Sequence, residues 1–119
     1  MVQQINLFLT KYKKMIKIGI IGVGYFGEIH LINLLKLNNK FDLIGIFDTD
    51  KERSKEIASK YRVKNFDSAK LLIKNCEAVD ITCSTNNHFD VIKKCIGENK
   101  HIFIEKPLSE NIEKSKEIV

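Results

Sequence analysis

Short segments rich in β-branched residues alternate with helical segments from Met15 to Val119. Each β-type segment has the length of one strand, and the segments between them place apolar residues at helical spacing. Five strands are predicted in this way, at residues 15–22, 41–48, 62–66, 77–84 and 100–105. This alternation predicts an α/β fold, a doubly wound parallel sheet of about five strands with helices on both faces. In the expected strand order 3-2-1-4-5, the run His101–Glu105 forms an edge.

Five helices are predicted between and after these strands, at residues 25–37, 49–61, 68–75, 86–99 and 109–119. Polar residues that favour helix N-termini stand at three of these starts. Thr49 or Asp50 is expected to cap the second helix, Asp67 or Ser68 the third, and Ser109 the fifth.

A chain of 119 residues can bury one hydrophobic core, and residues 15–119 are interpreted as that single domain. Residues 1–14 precede a second methionine, Met15, at which a strand-first domain would naturally begin. They are interpreted as an N-terminal extension, a surface element without chemistry.

Composition argues against several classes of function. Apolar runs last only a few residues, so no membrane span is expected. The net charge of +5 is spread over single lysines and pairs, which gives no support for a nucleic-acid partner. Cys76, Cys83 and Cys95 contain no C-x-x-C pair, so neither a zinc site nor a disulfide framework is predicted. Reduced thiols and a cytoplasmic location are expected.

Gly22, Gly24 and Gly27 form a G-x-G-x-x-G pattern between the first predicted strand and the first predicted helix. The pattern alone is weak, but in this context it is typical of a Rossmann dinucleotide-binding fold. Gly22 would permit a tight turn, Gly24 would let the backbone approach a diphosphate, and Gly27 would let the helix pack closely. The N–H groups near Tyr25 and Phe26 would face the phosphates at the positive end of the helix.

Asp48 ends the second predicted strand, 21 positions after Gly27. An acidic residue at this point can accept hydrogen bonds from both adenosine ribose hydroxyls and would repel a 2′-phosphate, so NAD is favoured over NADP. Two other interpretations remain open: an α/β domain without a nucleotide, whose glycines serve only the turn, and a methyltransferase that binds S-adenosylmethionine.

Two further segments, "CSTNNHFD" and "NKHIFIEKPLS", carry a resemblance to a known family. Together with the glycine loop, they make the chain from about Met15 to Val119 similar to the N-terminal domain of the Gfo/Idh/MocA oxidoreductases. The most specific part of the resemblance is Glu105-Lys106-Pro107, directly after the fifth predicted strand. The chain departs from the family at Cys83-Ser84, where Thr-Pro is usual, and at residues 98–99, where a small residue and glycine are usual.

The resemblance implies roles for the residues in these segments. Lys106 would be the catalytic residue, which hydrogen-bonds the reacting hydroxyl and supports proton transfer as hydride passes to the nicotinamide. Glu105 would orient Lys106 or border the nicotinamide, and Pro107 would fix the loop.

The loop after the fourth predicted strand is expected to contact the cofactor through Cys83–Thr85 and, as one of two possibilities, through His88. The other possibility, that His88 caps and packs the following helix, is favoured. His30 and His101 are interpreted as packing residues.

The resemblance also implies a second α/β domain that forms the substrate pocket, and nothing of that domain is found in the 119 residues. The expected function is therefore the NAD-binding part of an oxidoreductase, inactive by itself, that transfers hydride between a nicotinamide and a sugar, polyol or nucleotide-sugar hydroxyl. The alternative is a non-enzymatic NAD(H)-sensing or regulatory module that acts with a partner chain. The apolar edge run Ile102–Ile104 predicts a homo-oligomer, most simply a two-fold dimer.

Overall fold

A computed structural model of the chain describes residues 15–104 and 112–118. Within this part, one sheet is formed by four strands: β1 (Ile16–Ile21), β2 (Phe41–Phe47), β3 (Ala78–Ile81) and β4 (His101–Ile104). The strand order is β2-β1-β3-β4, and every neighbouring pair is parallel. The predicted doubly wound parallel sheet is confirmed.

Five helices are described: α1 (Tyr25–Lys36), α2 (Lys51–Tyr61), α3 (Ala69–Asn75), α4 (Thr85–Gly97) and α5 (Ile112–Ile118). Two of the expected caps can be assigned to one residue each. The Asp50 side chain accepts a hydrogen bond from the Arg53 N–H at the start of α2, and the Ser68 hydroxyl accepts one from the Leu71 N–H at the start of α3. Ser109 and the extension 1–14 lie outside the described residues.

The segment predicted as a third strand, residues 62–66, forms only a single parallel bridge. Asn65 bridges Ile46, where the Ile46 N–H donates to the Lys64 carbonyl and the Phe66 N–H donates to the Ile46 carbonyl, both at 2.9 Å. Few extended residues are available here, because α2 is capped by Arg62, which has a left-handed φ of 57°, and α3 already begins at Ala69. The bridge nevertheless lies beside β2, where the expected strand order places strand 3.

Alternating strand residues build one core layer on each face of the sheet. The layer under α1 and α2 contains Ile20, Val23, Leu31, Ile46 and Ile57. The layer under α3 and α4 contains Ile21, Leu72, Ile73, Val79, Ile81, Ile92 and Cys95. The two layers hold the sheet between them. Because its strands are parallel, their carboxyl ends and the loops that follow lie at one edge.

The face that carries α1 is covered less completely over β3 and β4. A groove of about 540 Å³ opens there, lined by Leu34 of α1, Leu37 directly after α1, Asp80 of β3, and His101 and Phe103 of β4 among others. Phe103 is 65% exposed. Within the two described ranges, no helix has both the length and the apolar character needed to cross a membrane.

Candidate functional site

The loops that follow β1, β2 and β3 meet at the carboxyl edge of the sheet and line a cleft of about 390 Å³. Ligands of doubly wound sheets bind at this edge. The cleft contains Gly22 from the first loop, Asp48 from the second and Cys83 from the third. The structure therefore brings together residues from three separate segments that the sequence singled out.

Two of the three glycines are required by the fold itself. Gly22 has a φ of 97°, a conformation that side chains disfavour, and a Cβ atom there would collide with the Cys83 backbone nitrogen. A Cβ atom on Gly27 would collide with the Gly22 carbonyl oxygen. These two glycines let the glycine loop, residues 22–27, pack against the loop after β3 and against its own helix.

Gly24 differs from both. Its φ is −67°, which any residue can adopt, and a Cβ atom there would meet nothing within 4 Å. The residue is the N-cap of α1, whose first N–H groups lack partners within the helix. The side chains of Tyr25 and Phe26 are 75% and 68% exposed, so the surface beside Gly24 is open. The open space and the helix N-terminus are what a bound diphosphate requires.

Asp48 follows β2 and is held by two backbone donors. Its Oδ2 atom accepts a hydrogen bond from the Val23 N–H at 2.8 Å, and Oδ1 accepts one from the Asp50 N–H at 2.9 Å. The first bond ties the end of β2 to the glycine loop. The carboxylate therefore has a fixed position on the wall of the cleft.

The loop after β3 is fixed against the glycine loop and against α4. The Thr82 hydroxyl donates a hydrogen bond to the Gly22 carbonyl oxygen. His88 is 3% exposed, and its Nε2 atom lies 2.8 Å from the Cys83 carbonyl oxygen. Burial raises the pKa of the Cys83 thiol to about 11. These contacts agree with the packing role favoured for His88.

Ser84 and Thr85, two of the predicted cofactor contacts, stand at the start of α4. The Asn87 side-chain amide donates a hydrogen bond to the Ser84 hydroxyl oxygen at 2.9 Å, beside the cleft that Asn87 lines. Thr85 is the first residue of α4, which places its backbone at the N-terminus of that helix.

The remaining predicted site residues, Glu105 and Lys106, lie outside the described residues together with Pro107. Their roles stay predictions. Among residues 15–104 and 112–118, no group of three or more His, Cys, Asp or Glu side chains is arranged to hold a metal ion.

Sequence reasoning missed several residues of this site. Asp67, Asn87 and Lys94 line the cleft, although only the fold brings them to Asp48. Arg53 was missed as well: its side chain donates a hydrogen bond to the Val23 carbonyl oxygen. Its position near the start of the second predicted helix was visible in the sequence. Nothing in this polar segment, however, distinguishes Arg53 from solvent-exposed neighbours.

Comparisons with known proteins agree with this geometry. A family model described as "Oxidoreductase family, NAD-binding Rossmann fold" matches residues 16–119. The UDP-N-acetylglucosamine 3-dehydrogenase of Acidithiobacillus ferrooxidans is 32% identical over 101 residues, which are 85% of this chain and 31% of that protein. The myo-inositol 2-dehydrogenase of Thermotoga maritima is 37% identical over 99 residues, 81% of this chain and 29% of that protein.

A similar solved structure is that of the Lactobacillus casei myo-inositol dehydrogenase in complex with NAD(H) and myo-inositol, with a TM-score of 0.82 and 25% identity. The match covers 88% of this chain and 32% of that one. The chain thus spans about a third of the length of these relatives. The glycine loop, the acidic residue after β2 and the family match lead to one conclusion: the chain belongs to the Gfo/Idh/MocA oxidoreductase family and contains its NAD-binding Rossmann domain.

Proposed function

We propose that this chain binds NAD(H) in the cleft at the carboxyl edge of its sheet, as part of an oxidoreductase that acts on a sugar, polyol or nucleotide-sugar hydroxyl. The observation that carries the proposal is the open space beside Gly24. The fold needs glycine at positions 22 and 27, but at position 24 a side chain would meet only open space. A ligand that approaches the backbone there explains why the position is glycine.

The substrate class is proposed from the relatives. Those named above are dehydrogenases of UDP-N-acetylglucosamine and of inositols. All of these compounds carry secondary hydroxyl groups on a six-membered ring, so a ring hydroxyl is the proposed site of oxidation.

NAD is the proposed cofactor, in preference to NADP. Asp48 supports this preference, since two backbone N–H groups hold its carboxylate on the cleft wall. A 2′-phosphate would bring a second negative charge to that carboxylate. Lys70 and Lys94 line the same cleft, so NADPH is the informative competitor in a binding experiment.

The chain's own residues would perform three tasks. The glycine loop and the start of α1 offer backbone N–H groups to a diphosphate, and Asp48 accepts hydrogen bonds from ribose hydroxyls. Bound NAD would supply the hydride acceptor. Lys106 would hydrogen-bond the reacting hydroxyl and support transfer of its proton, while Glu105 would orient Lys106 or border the nicotinamide.

In this proposal the chain binds the cofactor. The substrate pocket is assigned to the part of its relatives that the chain does not span. Proximity and exclusion of water are large parts of enzymatic rate enhancement, and they depend on a closed substrate pocket. We therefore expect the 119-residue chain to bind NADH without oxidising inositols or aldoses at an enzyme-like rate. A non-enzymatic NAD(H)-sensing module that acts with a partner chain is the second candidate, because cofactor binding without turnover is also what that role requires.

Calorimetric titration of the chain with NADH, NADPH and S-adenosylmethionine tests the proposal. NADH is expected to bind and S-adenosylmethionine is not. Absence of NADH binding by the folded chain would refute the cofactor site. Rapid reduction of NAD by the chain with an inositol as substrate would refute its dependence on a further domain.

Self-association is proposed as well, as a two-fold dimer through β4. Within the described residues β4 is the outer strand of the sheet, and Phe103 stands exposed on the face beside the groove. An unpaired apolar strand edge favours pairing with a second copy. The proposed location is cytoplasmic, supported by three cysteines, Cys76, Cys83 and Cys95, that form no disulfide.

A further inference from the structure

Arg53, in the first turn of α2, connects the glycine loop to α1. Its Nε atom donates a hydrogen bond to the Val23 carbonyl oxygen at 2.8 Å, and its Nη2 atom donates one to Glu28 Oε1 at 3.0 Å. Nη1 lies 3.3 Å from Glu56 Oε1. The donors of a guanidinium group are fixed in one plane, so the bond to Glu28, whose side chain is 20% exposed against 64% for Glu56, determines where Nε points.

Val23 is held from both sides by charged side chains. Its N–H donates to Asp48 Oδ2, and its carbonyl oxygen accepts from Arg53 Nε, both at 2.8 Å. The carbonyl group of a trans peptide and the N–H group of the next residue point in opposite directions. The bond from Arg53 therefore turns the Gly24 N–H away from α2. Gly24 is the residue that borders the open space.

Glu28 keeps Arg53 in place. Its other carboxylate oxygen, Oε2, accepts hydrogen bonds from the Tyr61 hydroxyl at 2.5 Å and from Lys60 Nζ at 2.9 Å. These bonds, that from Tyr61 first, lower the pKa of Glu28 to about 2, so the carboxylate is ionised at neutral pH. Glu28 thereby connects the beginning of α1 with both ends of α2, and Arg53 lies between two fixed acceptors.

We propose that Arg53 is a positioning residue for cofactor binding, which orients the Val23–Gly24 peptide so that its N–H can serve the cofactor's diphosphate. Arg53 acts through the loop, since its guanidinium is engaged by Val23 and Glu28. Without it, the peptide could rotate and present a carbonyl oxygen to a phosphate. The inference rests on the NAD site proposed above and adds a residue to it.

The test compares NADH with adenosine, which lacks the diphosphate, in binding titrations followed by NMR. Replacement of Arg53 by Met is expected to weaken NADH binding by about tenfold or more, the range for a lost hydrogen bond to a charged group. Adenosine affinity should change by less than about twofold, because no phosphate is involved. The Gly24 amide resonance should also shift in the ligand-free variant.

Glu56→Gln is the matched control, since Glu56 contacts Arg53 but not the loop, and it should leave NADH affinity unchanged. If Arg53→Met does not fold, Arg53→Lys replaces it, because a single ammonium group cannot reproduce the planar contacts to both Val23 and Glu28. Normal NADH affinity in the folded variant, or equal losses for NADH and adenosine, would overturn the positioning role alone. Failure of the unaltered chain to bind NADH would instead refute the proposed cofactor site.

Discussion

Nδ1 of His30, on α1, lies 2.8 Å from Oδ2 of Asp80, on β3. The Asp80 side chain is 4% exposed and that of His30 18%, so the pair joins helix to sheet at the wall of the apolar groove. His30 is interpreted from the sequence as a packing residue, and its ring also serves as a hydrogen-bond partner for a buried carboxyl group. His101, also expected to pack, is exposed on the rim of the same groove.

His30→Leu is expected to destabilise the protein by about 1–3 kcal/mol, because a buried carboxyl group loses a hydrogen-bond partner. Replacing both residues, in His30→Leu with Asp80→Leu, should cost less than the single change, since no polar group is then buried at this point. Urea unfolding of the three proteins measures both effects. A double variant less stable than His30→Leu would contradict this account.

Gly24→Val and Gly27→Ala should separate cofactor binding from folding. Gly24→Val should change the free energy of unfolding by less than about 1 kcal/mol and abolish NADH binding, because the new side chain occupies open space beside the backbone. Gly27→Ala should unfold at lower urea, because its methyl group collides with the Gly22 carbonyl oxygen. If Gly24→Val bound NADH normally, the glycine loop would be only a turn.

Asp48→Ser tests cofactor choice. The unaltered chain should bind NADH at least about tenfold more tightly than NADPH, since like charges in contact cost several kcal/mol. The variant removes that repulsion and should narrow the difference. Asp42→Asn, at an exposed position of β2, is the control for loss of one negative charge. Equal affinities for NADH and NADPH in the unaltered chain would contradict the role of Asp48.

The parts of this site that could be predicted are those encoded within one strand–loop–helix unit. The spacing of Gly22, Gly27 and Asp48 follows from strand and helix lengths, and the structure places all three at the carboxyl edge. The capping residues of α2 and α3 could be narrowed to two candidates each, because capping is a local hydrogen bond.

Contacts between distant elements could not be predicted. The bond from Arg53 to Val23 depends on how α2 packs beside the glycine loop, and the pair His30–Asp80 joins residues 50 positions apart. The third predicted strand failed for a related reason. Val63 and Phe66 give the segment a weak strand pattern, but the left-handed turn at Arg62 and the early start of α3 leave length for one bridge only.

The network around Glu28 predicts a loss of stability in acid. Hydrogen bonds from Tyr61 and Lys60 lower the pKa of Glu28 from 4.5 to about 2 in the folded chain. A depressed folded-state pKa stabilises the protein above the unfolded-state value, and this contribution disappears as the pH falls from about 4.5 to about 2. Urea unfolding should find Glu28→Gln less stable than the unaltered chain at neutral pH. The difference should shrink in acid; a constant difference would contradict the assignment.

The last prediction concerns the edge strand β4. Ile102 and Ile104 pack against the core layer under α3 and α4, which leaves Phe103 on the opposite face. Helix α5, the segment that could have folded over this surface, instead packs Ile118 against that same core layer, with Lys93 Nζ 3.7 Å from Glu117 Oε1.

Because Phe103 stays exposed, light scattering over a concentration series should find a dimer that Phe103→Lys weakens. A charged residue on an edge strand opposes pairing with another chain. Leu71→Lys, a change at an exposed apolar position of α3, is the matched control and should leave the dimer intact. A constant monomer mass at the highest concentration would refute the dimer, and equal weakening by both changes would refute its location at β4.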